Sequence, residues 1–183
     1  MIAFSMMLLG NNEYGFRIPS VIFGFLSILV LYLLMKKLSG DRLLSLMTAF
    51  LFSFDNLVFV HSRIATLDVS LLFFMILGFY WYLQGRMMLS GVALGLATLC
   101  KIGGLYGLAV VVVYHLALGL FKMNGERDWL GRAKKLERLV IAYGVSFFAL
   151  LFVMDRLWAG YLNPMDHLMH ILSYTKALTT PVP

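Results

Sequence analysis

The sequence lacks most of what a soluble enzyme would need. Its single cysteine, Cys100, lies in an apolar run and reads as a small core residue, so an internal disulfide and a Cys-based metal site are both excluded. Charge is scarce too, with only 13% of the 183 residues being Asp, Glu, Lys or Arg. No P-loop, dinucleotide fingerprint, GxSxG elbow or HExxH helix occurs, which leaves no motif for a soluble cofactor. The net charge of +6 does not make a nucleic-acid face, because the basic residues sit in short loops between apolar runs. His167 and His170, three apart, could share a helix face with Asp166 nearby, but they form no complete ligand set, so no metal site is assigned. No cofactor is expected, and a divalent metal stays an open alternative.

What is abundant is apolar surface. Hydrophobic residues make up 61% of the chain, and the mean hydropathy is +0.87. No soluble domain of this length has an interior large enough to hide that much. The apolar runs recur along the whole length, which argues against a cleavable leader followed by a soluble domain. They are too long and unbroken for barrel strands of period two, and in lipid the backbone must satisfy its own hydrogen bonds, so the expected fold is all-α, a polytopic helical bundle.

Spans are expected at about 18–38, 43–59, 67–83, 88–100, 105–121 and 139–158, each set against the ~20 residues that cross ~30 Å of hydrocarbon. Residues 88–121 could form one long tilted helix or two short ones. The loop KMNGERDWLGRAKKLER, Lys122 to Arg138, holds six of the fifteen Lys and Arg residues and belongs inside by the positive-inside rule. Only an even number of crossings between 88 and 121 leaves both that loop and Arg86 inside, so two spans turning at Lys101 to Gly104 are expected. Ten basic residues then lie inside against five outside. The 88–100 span is short for a crossing unless buried among neighbours. Asn163-Pro164 followed by DHLMHILSYTK reads as an interfacial helix on the outer surface.

That topology gathers Asp55, His61, Arg63, Asp68, Lys101, Asp155, His167 and His170 at the outer boundary. The stretch DNLVFVHSRIATLD, Asp55 to Asp68, is the most conspicuous, because charges bordering apolar spans are costly and mark function by default. Arg offers a planar fork to phosphate oxygens and Lys a point charge, so Arg63 with Lys101 suits a lipid phosphate. The bland alternative pairs Arg63 with Asp55 or Asp68 and lets Lys101 snorkel. Gly103, Gly104 and Gly107 permit a sharp turn or a close approach, whereas Gly91 and Gly95 read as packing residues.

The segments GFRIPSVIFGFLSILVLYLL, HSRIATLD, SGVALGLATLCKIGGLYGL and NPMDHLMHILSYTKALTTPVP together resemble the protein O-mannosyltransferase family, within the GT-C class of membrane glycosyltransferases. The most specific pieces are Ser62-Arg63 with Asp68, similar to the family's SR…LD motif, and Gly95 with Lys101 and Gly104. The resemblance implies an enzyme that takes mannose from a polyprenyl (dolichyl) phosphate carrier and attaches it to Ser or Thr of a polypeptide on the extracytoplasmic face. The membrane would be the plasma membrane in a prokaryote and the endoplasmic reticulum in a eukaryote.

By that analogy Arg63 and Lys101 lie near the carrier phosphate, Asp68 orients Arg63, and His61 and Ser62 support them. The family's catalytic carboxylates lie in a first outer loop that this chain begins beyond. A fragment is therefore expected, a single transmembrane domain without the first span, the first outer loop and the last spans, and unable to turn over alone. Glu13 sits too close to the first span to serve as the base. Related enzymes glycosylate lipids, and a transporter piece or a non-catalytic subunit is the other class to separate. A transporter would show an inverted hydropathy repeat, which is absent.

Overall fold

The computed structural model describes residues 5–7, 10, 12–55, 60, 66–121, 129–156, 169–170 and 173. Among them the architecture is all-helical. Six principal helices follow in order: α1 (Glu13–Ser39), α2 (Arg42–Ser53), α3 (Leu67–Leu83), α4 (Met87–Cys100), α5 (Gly104–Phe121) and α6 (Trp129–Met154). By length and composition α1 and α6 are long and apolar enough to cross a membrane, while the other four are apolar but shorter.

Local chemistry sets the helix ends. Asn12 caps α1 by accepting the Gly15 N–H at 2.8 Å, and Asp41 caps α2 by accepting the Leu43 N–H at 2.8 Å. Gly40, at φ 72°, stops α1 in the left-handed conformation that glycine adopts without strain. Lys36 and Lys37 lie in the last turn of α1, where the carbonyl end of the helix favours cations. Gly85 at φ 76° folds α4 back beside α3.

α4 lies at the centre, with its most extensive contacts to α6 and α3 and a smaller set to α5. α1 packs on α3 from the far side, and α2 packs on α1. One core joins Val30 and Leu34 of α1 to Phe73 and Ile76 of α3, with the Phe23 ring centred 5.2 Å from that of Phe73. A second joins Tyr82, Leu94, Val111 and Leu139 from four helices. Small residues bring the backbones together. A Cβ on Gly91 would run into the Leu139 carbonyl oxygen of α6, and one on Gly95 into Ser146 Oγ.

The distribution of side chains is the reverse of a soluble protein. Ser20, Ser27, Ser45, Ser70 and Ser90 are buried, while Phe25 is 62% and Leu51 71% exposed. The inner hydroxyls are satisfied locally or between helices: Ser27 Oγ donates to Phe23 O at 2.7 Å, and Ser90 Oγ to Gly78 O of α3 at 2.9 Å. Small and hydroxylated residues at the contacts, with large aliphatics facing out, are how helices associate in lipid, where burying a leucine gains little.

Three expectations meet a different outcome. The expected second span over 43–59 is helical to Ser53, turns at Phe54 and Asp55, and leaves 56–59 outside the described residues. Residues 129–138, expected as loop, are the first turns of α6, because Leu, Ala, Lys, Arg and Glu are good helix formers whatever their charge. The last span ends in a short wider turn at Asp155 and Arg156 rather than continuing as α-helix, and 157–160 lie outside the described residues. The break within 88–121 falls where the parity argument puts it. At 14 residues α4 is short, and it is indeed enclosed by neighbours, with Ser90, Gly91, Ala93, Leu94, Gly95 and Ala97 all buried. Of the expected outer helix, only positions 169, 170 and 173 are described, and they are helical.

Candidate functional site

The polar feature that stands out at one end of the bundle is an ion pair between α3 and α4. Asp68 lies in the first turn of α3, where the exposed N–H groups favour a carboxylate. Lys101 follows the last residue of α4, where the carbonyl end favours a cation. Because the turn at Gln84–Arg86 makes α3 and α4 antiparallel neighbours, these two ends meet. Lys101 Nζ donates to Asp68 Oδ1 at 2.6 Å, with the side chains 57% and 28% exposed. The ammonium has three N–H donors, so this bond holds it in place and leaves two to offer.

The turn after Lys101 is tight. Gly104 N donates to Lys101 O at 2.9 Å, and a Cβ on Gly104 would collide with the backbone of Ala97 and Thr98. Gly107 packs against Leu94 and Met75. Both glycines thus serve close approach of α5 to the end of α4, which fixes where Lys101 emerges.

Beside the pair opens an apolar groove of about 430 Å³ between α1, α3, α4 and α6. Leu67 and Phe74 of α3, Leu99 and Cys100 of α4, and Leu150 and Met154 of α6 form its walls, with Pro19 and Ser20 of α1 at the side. Thr66 and Leu67 precede Asp68, and Cys100 precedes Lys101, so the backbone of the charged pair adjoins the groove, although neither charged side chain lines it. Cys100, expected as a core residue, is half-buried and belongs to this wall.

Of the five residues picked from sequence, the structure brings Asp68 and Lys101 together. His61, Ser62 and Arg63 lie outside the described residues, as does His167. Asp68 makes a short bond to Lys101, and its expected role in orienting Arg63 lies outside the described residues. Asp155 is 1% exposed, at the same end as the groove, and Arg156 lies over the Phe152 ring at 5.4 Å. Among the described residues no three His, Cys, Asp or Glu side chains gather as metal ligands would.

Sequence reading passed over His115, an ionisable residue inside an apolar run and therefore a signal that should have been weighed. It ties three helices at the opposite end. Tyr82 O–H donates to His115 Nδ1 at 2.8 Å, His115 Nε2–H donates to Arg132 O at 3.2 Å, and Arg132 Nη1 donates to Leu118 O at 2.9 Å. A neutral imidazole protonated at Nε2 satisfies both ring nitrogens. Its work is to lock α3, α5 and α6 together.

An apolar exterior, interfaces of small residues and a charged pair beside an apolar groove define an integral membrane protein. The chain belongs to the dolichyl-phosphate-mannose-protein mannosyltransferase family, whose sequence profile it matches over residues 5–174. It is also 32% identical over 136 residues to the undecaprenyl phosphate-alpha-4-amino-4-deoxy-L-arabinose arabinosyl transferase of Pseudomonas aeruginosa (strain UCBPP-PA14). That alignment covers 70% of this chain and 24% of the relative, so the chain spans about a quarter of the length of the curated protein it matches. No solved structure matches the chain.

Proposed function

We propose that this chain forms the carrier-binding part of a membrane glycosyltransferase that draws its sugar from a polyprenyl phosphate. The observation that carries the reading is the Lys101–Asp68 pair next in the chain to residues that wall an apolar groove. A polyprenyl phosphate sugar needs both: a cation with free N–H donors for the phosphate and a dry channel for the first isoprene units. Arg63, in the segment that leads into Thr66 and α3, is proposed as the second cation, with His61 and Ser62 supporting it. Family membership and the arabinosyl transferase relative, which is named for an undecaprenyl phosphate sugar, support the same donor class.

Within that class the favoured donor is polyprenyl phosphate mannose and the favoured acceptor a Ser or Thr hydroxyl of a polypeptide, as the family's description implies. The second reading, transfer of another sugar to a lipid acceptor, is prompted by the arabinosyl relative. Membranes carrying the full-length protein, given polyprenyl phosphate [³H]mannose, are expected to move label to protein and release the polyprenyl phosphate. Label on a lipid chromatographically distinct from the donor, with polyprenyl phosphate released, would favour a lipid acceptor, and label left wholly on the donor would overturn the donor class.

The reading places the groove on the outer or lumenal side, with six spans and the interfacial helix near Pro164. A cysteine introduced at Gly125 is therefore expected to resist a membrane-impermeant maleimide in intact cells and to react once the cells are opened. Labelling from outside would invert the topology.

A further inference from the structure

At the end of the bundle opposite the ion pair, the tight α3–α4 turn and the start of α6 enclose a second cavity, an open notch of about 460 Å³. Arg86 from the turn and Lys135 and Arg138 from α6 line it, together with Gly85, Met87 and Met88. All three cations are exposed. Among the described residues none of their side chains makes a hydrogen bond or ion pair; the basic residue a turn earlier, Arg132, is already committed to the Leu118 carbonyl. No side chain caps the N-terminus of α4 at Arg86, so the positive end of that helix also faces the notch.

Three like charges gathered on two packed helices repel one another, and the positive-inside rule accounts for their side of the membrane but not for their convergence on one notch. A bound anion would account for that convergence. We propose that this notch binds the headgroup of an anionic phospholipid from the leaflet that faces this end of the bundle. Charge alone would suit a free phosphate equally, but the rim is apolar. Met88 is 64% and Leu89 40% exposed directly beside the cations, which provides greasy surface for acyl chains next to positive charge for the phosphate. Basic pockets between membrane helices with that composition suit lipid headgroups. The notch touches both α4 and α6, so a bound lipid would brace the contact that Gly91 and Gly95 make possible. The inference stands on the membrane setting and is independent of the sugar donor.

The purified full-length chain in mild detergent, offered dioleoyl phosphatidylglycerol and dioleoyl phosphatidylcholine together, is expected to retain the phosphatidylglycerol preferentially in native mass spectrometry. Each Lys or Arg near a charged lipid surface is worth a factor of roughly five. Changing Arg86→Gln, Lys135→Gln and Arg138→Gln together should weaken phosphatidylglycerol retention on the order of 100-fold. The charge-keeping set Arg86→Lys, Lys135→Arg and Arg138→Lys should restore it, which separates binding from misfolding. Equal retention of the two lipids by the unaltered protein, or an unchanged preference in the Gln variant, would overturn the site. Complete displacement of the lipid by millimolar inorganic phosphate would overturn the lipid assignment and leave a free-anion site.

Discussion

Replacing Lys101 with alanine in the full-length protein is expected to lower kcat/KM for the polyprenyl phosphate donor by about 10- to 100-fold, with insertion and amount in the membrane unchanged. The magnitude is that of one charge-assisted hydrogen bond to an anion, about 1.5–3 kcal/mol. The pair geometry adds a sharper expectation. Lys101→Ala leaves the Asp68 carboxylate without the ammonium 2.6 Å away, so it both removes an attraction for phosphate and adds a repulsion. The double variant Lys101→Ala with Asp68→Asn should therefore retain more activity than Lys101→Ala alone. Asp68→Asn alone should cost less than either, because it loosens the lysine without removing it. Such non-additivity is what residues acting as a unit show. Donor kinetics unchanged by Lys101→Ala would remove the lysine from the site.

The second large effect is on assembly. A Cβ at position 91 would meet the Leu139 carbonyl oxygen, the Tyr143 backbone nitrogen at 2.9 Å and the Ala142 Cβ at 3.0 Å. Two of these are backbone atoms of α6 that cannot rotate away, so the helices themselves must separate. Gly91→Ala is expected to destabilise the bundle by about 1–3 kcal/mol, the usual cost of overpacking, and Gly91→Leu to prevent assembly. Gly144, on α6 itself, is the control. A Cβ built there meets nothing within 4 Å beyond its own stretch of helix backbone, so Gly144→Ala should be neutral or mildly stabilising. Thermal unfolding in detergent distinguishes them, and equal melting of the Gly91→Ala and Gly144→Ala proteins would show that the α4–α6 contact does not depend on a bare backbone.

Much of this organisation is legible in the chain because lipid leaves it few choices. The apolar run from Leu67 to Leu83 becomes a helix with those same ends, since Thr66 and the Gln84-Gly85 turn bound it on both sides. Lys101, Gly103 and Gly104 mark where a break in 88–121 can fall, and the count of crossings chooses two helices over one. Local charge misled at residues 129–138, where a dense run of basic residues reads as a loop but continues the helix. The Lys101–Asp68 contact was out of reach for a different reason. The two residues are 33 apart in sequence, and their meeting depends on α3 and α4 being neighbours, which pattern does not state. Likewise Tyr82 follows Tyr80 and Trp81 at the end of an apolar run, where aromatics commonly sit at a membrane interface, and only the packing reveals it as the partner of His115.

The shortness of α4 has a consequence for how the site is reached. At 1.5 Å per residue its 14 residues rise about 21 Å, well under the ~30 Å of a hydrocarbon layer. Pro19, at the side of the groove, is the seventh residue of α1, so about 9 Å of that helix stands beyond the groove. The charged pair thus lies below the tip of a neighbouring helix, while the Lys101 side chain stays 57% exposed. On the proposed reading, a carrier lipid already lying in the membrane reaches the pair sideways without lifting its phosphate out, and an acceptor from the water approaches past the tip of α1, which admits an extended strand of polypeptide more readily than a folded surface.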